Sequence, residues 1–284
     1  EQAYAFSQIS SYADTLLKRG LPNEKTASEL AIKIINQGLK QTKVKAETYD
    51  KINYMCRCYM DRIARFRLDY DFVPDINALK TALICLYEHS PIFHSNFKDN
   101  RIAPYWRVCD YAIEDSLTVK NTEDIEKGAY EFIIQGIDTN DNTQMKVGLF
   151  IKDNKCALCF RWNHMIMDGG GFKQFLCDLF SAYNTYKCEG ITPLSFAVGS
   201  RALEDIYTDM PRDKQKAAQK KFANMTSKEK KHLPFSEKSK EDKNILVVKE
   251  ISGDIFMKAA KKGKEIGATV NDVLSACYIE AAYK

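Results

Sequence analysis

With 284 residues, of which 45% are hydrophobic and 11% aromatic, the chain carries enough apolar material to bury a sizeable core, which excludes a disordered or fibrous protein. No apolar run approaches the ~18 to 20 residues that cross a bilayer, and the N-terminus has no charged stretch leading into an apolar one, so a cytoplasmic protein without a transmembrane segment is expected. The net charge of +4 is local: residues 211–243 hold 11 Lys and Arg against 5 Asp and Glu, and the rest of the chain 31 against 33, so with acids interleaved and only Phe222 and Phe235 able to stack, nucleic acid is not an expected partner.

Residues 1–46 read as helical, with Leu16, Leu17 and Leu21, then Leu30, Ile32, Ile34, Ile35 and Leu39 at helical spacing, broken at Gly20-Leu21-Pro22-Asn23. Residues 62–70 read as a strand. Pro74-Asp75 then opens a helix running to about Glu88, with Ile76, Leu79, Leu83 and Leu86 on one face, and Ser90-Pro91 stops it. Residues 92–97 read as a short strand and residues 104–108 as another. Two longer strands follow at 146–151 and 155–163, joined by the turn signal Lys152-Asp153-Asn154. Next comes a helical stripe of Phe172, Phe175, Leu176, Leu179, Phe180 and Tyr183.

Beyond the basic segment, residues 244–251 read as a strand and 254–265 and 271–283 as helices. The last helix has an apolar face, Val270, Val273, Leu274, Cys277, Tyr278 and Ala281, with no stop signal after it, so a longer protein is expected. Nine cysteines, odd in number and without the spacing of a disulfide scaffold, point to reduced thiols. The one C-x-x-C, Cys156 to Cys159, falls in a strand, where residues three apart point to opposite faces, which argues against a redox or zinc pair.

The residues that could carry chemistry lie where the 155–163 strand ends, at Asn163-His164-Met165-Ile166-Met167-Asp168-Gly169. Counting back by twos from His164 gives Trp162, Phe160, Leu158 and Cys156, so the imidazole sits at the end of an apolar row. Partial desolvation keeps such a ring neutral and able to accept a proton, as a general base does, an effect worth about 10²- to 10⁴-fold in rate. Asp168 is expected to hold the loop by accepting backbone N–H bonds or pairing with an Arg, and Gly169 to Gly171 free the strand-to-helix turn from Cβ constraints. His89 and His94 flank Pro91 and are read as structural. Tyr105 and Trp106 are candidates for lining a substrate pocket, with a core role the stronger alternative. Metal sites are not expected from four histidines, and the sequence lacks a Gly-x-Ser-x-Gly elbow, a His-Glu-x-x-His helix and a phosphate loop.

The loop resembles the His-x-x-x-Asp-Gly motif of the chloramphenicol acetyltransferase-like superfamily, in its condensation-domain-like and alcohol-acetyltransferase-like branch. Asp75-Ile76-Asn77-Ala78-Leu79-Lys80-Thr81-Ala82-Leu83 through Ser90-Pro91-Ile92-Phe93 is similar to that family's first helix and following strand. Gly267-Ala268-Thr269-Val270-Asn271-Asp272-Val273-Leu274 is similar to the helix opening its second lobe. The resemblance covers residues 55–284 and departs at Asn163, where many members have a second His.

The resemblance implies an α/β fold of mixed sheet with flanking helices, built as two similar lobes with the site between them. Residues 1–50, outside it, are expected to be a helical N-terminal extension; on it, 51–200 are a first lobe, 201–243 a basic helical linker and 244–284 the beginning of a second lobe, the remainder of which is expected to lie outside this chain. It implies acyl transfer to a small hydroxyl or amine acceptor, with His164 as base, Asp168 and Gly169 shaping the loop, and no permanently bound cofactor. The donor would be acyl-CoA or, alternatively, a phosphopantetheine thioester on an acyl carrier protein, for either of which the basic segment offers charge attraction. The remaining alternative is a binding protein that keeps the fold without activity.

Overall fold

The apolar alternation between residues 145 and 163 builds the centre of the first of two units, residues 1–208. In the computed structural model, β6 (Met145–Lys152) and β7 (Lys155–Asn163) form an antiparallel hairpin whose turn places Asp153 at φ 53°, a left-handed conformation that Asp tolerates. The structure describes residues 2–36, 41–58, 61–100, 102–191, 201–202, 210–225, 246–249 and 251–283. On one side of the hairpin, β2 (Ile63–Tyr70) runs antiparallel to β7. On the other, β5 (Leu117–Asn121) runs parallel to β6, the connection being made through α5 (Ile125–Ile133). The sheet order is β2-β7-β6-β5.

Because β7 is covered on both faces, its alternate side chains enter two different cores. Cys156, Leu158, Phe160 and Trp162 belong to the larger cluster, which includes side chains of α4 (Ile76–His89) and α6 (Gly169–Glu189), whereas Ala157 and Cys159 meet Ala129, Phe132 and Ile133 of α5. The two cysteines of the C-x-x-C therefore face apart. Burial raises the Cys156 thiol and pushes Cys159 up to about 12, so both stay protonated, and all eight cysteines described are free. Phe160 is fully buried edge-on to Phe172 and Phe175; burying a side chain of this size contributes about 1.5–3 kcal/mol. Asp75 caps α4 by accepting from the Ala78 N–H at 2.9 Å, and its own N–H donates to the Tyr183 hydroxyl of α6 at 2.9 Å.

A second sheet, in the order β1-β4-β3, joins β1 (Lys43–Lys45), β4 (Tyr105–Val108) and β3 (Ser95–Lys98). Two sequence expectations are corrected here. Residues 43–45 are a strand and not helix: Val44 pairs with Trp106, and the exposed lysines on either side leave no helical periodicity. The strand expected from residue 92 begins at Ser95, because Pro91–His94 make a 3₁₀ turn closed by the Ser95 hydroxyl donating to the Pro91 carbonyl at 2.6 Å.

The helices α1 (Gln2–Lys18) and α2 (Glu24–Asn36) turn about Gly20, whose φ of +110° excludes a side chain and whose Cβ would meet Ile113 at 2.6 Å. Leu16, Leu30 and Ile34 enter the larger cluster, so α1 and α2 pack into this unit. Leu39 lies outside the described residues. The stretch 109–144, left unassigned by sequence pattern, holds β5 and α5, and α3 (Thr48–Met55) follows β1.

The second unit, residues 209–284, contains α7 (Arg212–Met225), α8 (Gly253–Glu265) and α9 (Val270–Tyr283). Asp272 closes the start of α9 by accepting from the Thr269 N–H at 2.8 Å and hydroxyl at 2.7 Å. No side chain of α9 is buried, and Leu274, Tyr278 and Ile279 are exposed. Of the strand expected at 244–251, residues 246–249 have no regular structure and most of the remainder lies outside the described residues, as does much of the basic segment. No described helix is long and apolar enough to cross a membrane.

Candidate active site

His164 stands one residue past β7, and its N–H donates to the Arg62 carbonyl at 2.7 Å, which carries the β2–β7 pairing one step further. The strand turns there because Asn163, fully buried, spends its short side chain locally. Its Nδ2 donates to Gln144 Oε1 at 2.9 Å and its Oδ1 accepts from the Met165 N–H at 3.1 Å. Met165 and Ile166 are buried and anchor the loop in the core, leaving His164 half-buried between them and the strand.

The far end of the loop is fixed by the start of α6. The exposed Asp168 is its N-cap, accepting from the Gly171 N–H at 2.7 Å. This approach leaves little room at Gly171, where a Cβ would meet Met167 Cγ at 3.0 Å and Asp168 Oδ1 at 3.4 Å, whereas Gly169 faces open space. Trp162 bridges the two ends: its indole stacks on Phe172 at 4.0 Å and its Nε1–H donates to the Met167 carbonyl at 2.9 Å.

The side chain touching His164 comes from α3. Tyr49 Oη lies 2.6 Å from His164 Nδ1, and the two rings are tilted with centroids 5.9 Å apart. The neighbouring Asp50 is fully buried and accepts three bonds: from the Glu47 N–H at 3.0 Å, from Trp106 Nε1–H at 2.9 Å and from Arg201 Nη2 at 2.7 Å. The same Arg201 nitrogen donates to the Met165 carbonyl at 2.9 Å. One guanidinium thus joins α3 to the loop, as the fixed fork of an arginine suits it to do.

The motif residues His164, Asp168 and Gly169 share this loop. Trp106 is fully buried and meets it only through Asp50 and Arg201, while Tyr105 is half-buried with the Lys43 ammonium 4.9 Å over its ring. Sequence pattern gives no sign of Tyr49, Asp50 or Arg201, since Tyr49 and His164 are 115 positions apart and Asp50 and Arg201 are 151 apart, and Asn163 is visible only as a departure from the motif. His94 is buried, with Nδ1 2.7 Å from the Cys109 carbonyl, away from the loop. Among the described residues no three His, Cys, Asp or Glu are grouped to hold a metal. A surface cavity of about 320 Å³ lined by Asn121, Glu123 and Asp153 lies at the opposite end of β7 from His164.

No protein-family model matches the chain, and no curated protein does. Solved structures do. The starter condensation domain of rhizomide synthetase is similar with a TM-score of 0.50 and 15% identity over 66% of this chain and 49% of that one. A doubly substituted form of the same domain in a "product-released" conformation gives 0.52 and 16% over 68% and 48%. Another, in complex with C8-CoA and Leu-SNAC, gives 0.51 and 16% over 65% and 46%. The match spans slightly under half of each neighbour. The chain has the mixed α/β fold of these condensation domains, the chloramphenicol acetyltransferase-like fold, with open sheets and flanking helices.

Proposed function

We propose that this chain carries the base-bearing part of an acyltransferase that moves an acyl group from a thioester to a hydroxyl or amine. The observation behind this reading is the placement of His164: a half-buried imidazole at the end of a core strand, in a loop tied down at both ends, on a fold shared with condensation domains. In the proposed step, His164 Nε2 takes the proton of the acceptor O–H or N–H as that atom forms a bond to the thioester carbonyl carbon. The tetrahedral adduct then breaks its C–S bond, and the departing thiolate takes the proton back from the imidazolium. Asp168 and Gly169 serve this step by shaping the loop.

Acyl-CoA is the proposed donor, a choice supported by the neighbour solved with C8-CoA. A donor tethered to a carrier protein is the alternative, and the Lys-rich helix α7 is a surface on which either phosphate groups or an acidic carrier would be attracted. A cytoplasmic setting is part of the proposal, in keeping with the free cysteines.

The test is release of free thiol from a panel of acyl-CoA donors by the full-length protein in the presence of acceptor. His164→Ala is expected to lower turnover about 10²- to 10⁴-fold while leaving thermal unfolding unchanged. Unchanged turnover in that variant would remove His164 from the mechanism. Turnover only with donors loaded on a carrier would select the alternative, and no turnover by a well-folded protein would favour a binding role.

A further inference from the structure

We infer that Tyr49 is a positioning residue for His164, holding the imidazole in the tautomer with its proton on Nδ1. This rests on the reading of His164 as the base. It goes beyond that reading, because Tyr49 lies outside the stretch whose motifs resemble an acyltransferase.

The 2.6 Å contact between Tyr49 Oη and His164 Nδ1 admits two arrangements. If the phenol donates, Nδ1 is the acceptor, the ring proton sits on Nε2, and the outward nitrogen has no lone pair for an acceptor's proton. If Nδ1–H donates to the phenol oxygen, the Nε2 lone pair is free. Only the second arrangement serves a base, and it improves as the reaction proceeds. Once Nε2 is protonated, the same Nδ1–H bond becomes charge-assisted, so the contact is stronger in the transition state than in the resting enzyme.

The contact is also built into the fold. Tyr49 is 44% exposed and has no burial of its own to hold it, yet its neighbour Asp50 is fully buried and bonded to Trp106 and Arg201. Arg201 Nη2 bonds at once to Asp50, next to Tyr49, and to the carbonyl of Met165, next to His164. The separation of phenol and imidazole is therefore set by one cation bonded on both sides.

The test compares wild-type, Tyr49→Phe and His164→Ala proteins uniformly labelled with ¹⁵N. Long-range ¹H–¹⁵N correlation reads which imidazole nitrogen carries the proton at a pH where the ring is neutral. With four histidines in the chain, the signal lost in His164→Ala identifies His164. The wild type is expected to show Nδ1 protonated. In Tyr49→Phe, which removes one exposed hydroxyl, that bias is lost and turnover falls about tenfold at unchanged KM. A wild-type ring protonated on Nε2, or a Tyr49→Phe protein with the same tautomer and the same turnover, would overturn the inference. The tautomer is read without substrate, so a failed acyltransferase reading, shown by unchanged turnover in His164→Ala, is separable from a failed role for Tyr49.

Discussion

Two buried carboxylates, Glu88 and Asp50, are each met by an arginine far away in the sequence, and their surroundings differ in one respect. Glu88 accepts from Arg19, from the Tyr12 hydroxyl and, at 2.8 Å, from the Tyr111 hydroxyl. The Arg19 guanidinium lies 4.8 Å from the Tyr111 ring centroid. Burial first, and then the Glu88 charge, pushes both tyrosines above their ordinary range, so they remain donors. That network reaches the surface where Arg19 meets the exposed Asp110. The Asp50 network uses the same chemistry, a carboxylate with an arginine and an aromatic donor, but its chain neighbour is the exposed Tyr49, which touches half-buried His164. The first network fixes α1 to α4; the second supports the half-buried ring of His164, which on the proposed mechanism meets the substrate.

The difference sets an order of effects. Arg19→Met leaves Glu88 charged, buried and without its cation, and is expected to cost about 3–5 kcal/mol of stability, read as a lower urea midpoint at constant slope. Turnover per folded molecule should not change. Arg201→Met should cost less, about 2 kcal/mol, because its side chain is 28% exposed and water can replace part of what it gives Asp50. Here turnover should fall, since Met165 and Asp50 lose their common tie. The contrast between the networks breaks if Arg201→Met costs more stability than Arg19→Met, or if it leaves turnover intact.

The smallest effect is one of pH. His94 packs on Tyr111 at 4.7 Å, and burial lowers its proton affinity, an effect that Glu88 opposes and Arg19 reinforces. Since the folded value is depressed, the unfolded chain takes up the proton first. Stability is therefore full above the ordinary histidine value of about 6.5 and declines as pH falls below it, by about 1 kcal/mol at most between pH 7 and 5.5. His94→Gln should flatten that decline in urea titrations across this range. An unchanged slope would place the pH dependence elsewhere in the molecule.

What was legible in the sequence was what repeats locally. The strands β2, β6 and β7 and the helices α4 and α6 follow from apolar periodicity and turn residues, and the loop between β7 and α6 from its residue types. β5 escaped because only Leu117 of its five residues is buried, and β1 because it is three residues long with both lysines exposed. The supports of His164 escaped for a different reason. Tyr49 comes from α3 and Arg201 from beyond α6, and no local pattern encodes a bond between residues 115 positions apart, as Tyr49 and His164 are. The motif specifies a ring at the end of a strand; the residues that orient it come from the segment where periodicity was weakest.

The chain has two tryptophans, and the structure hangs both of them on this assembly: Trp106 donates to Asp50, and Trp162 donates to Met167 while lying flat on Phe172. Light absorbed at the red edge of the protein's near-ultraviolet band is therefore absorbed at the anchor of the loop and at the loop itself. The tryptophan emission of the protein is thus an optical gauge of the surroundings of Asp50 and of the loop.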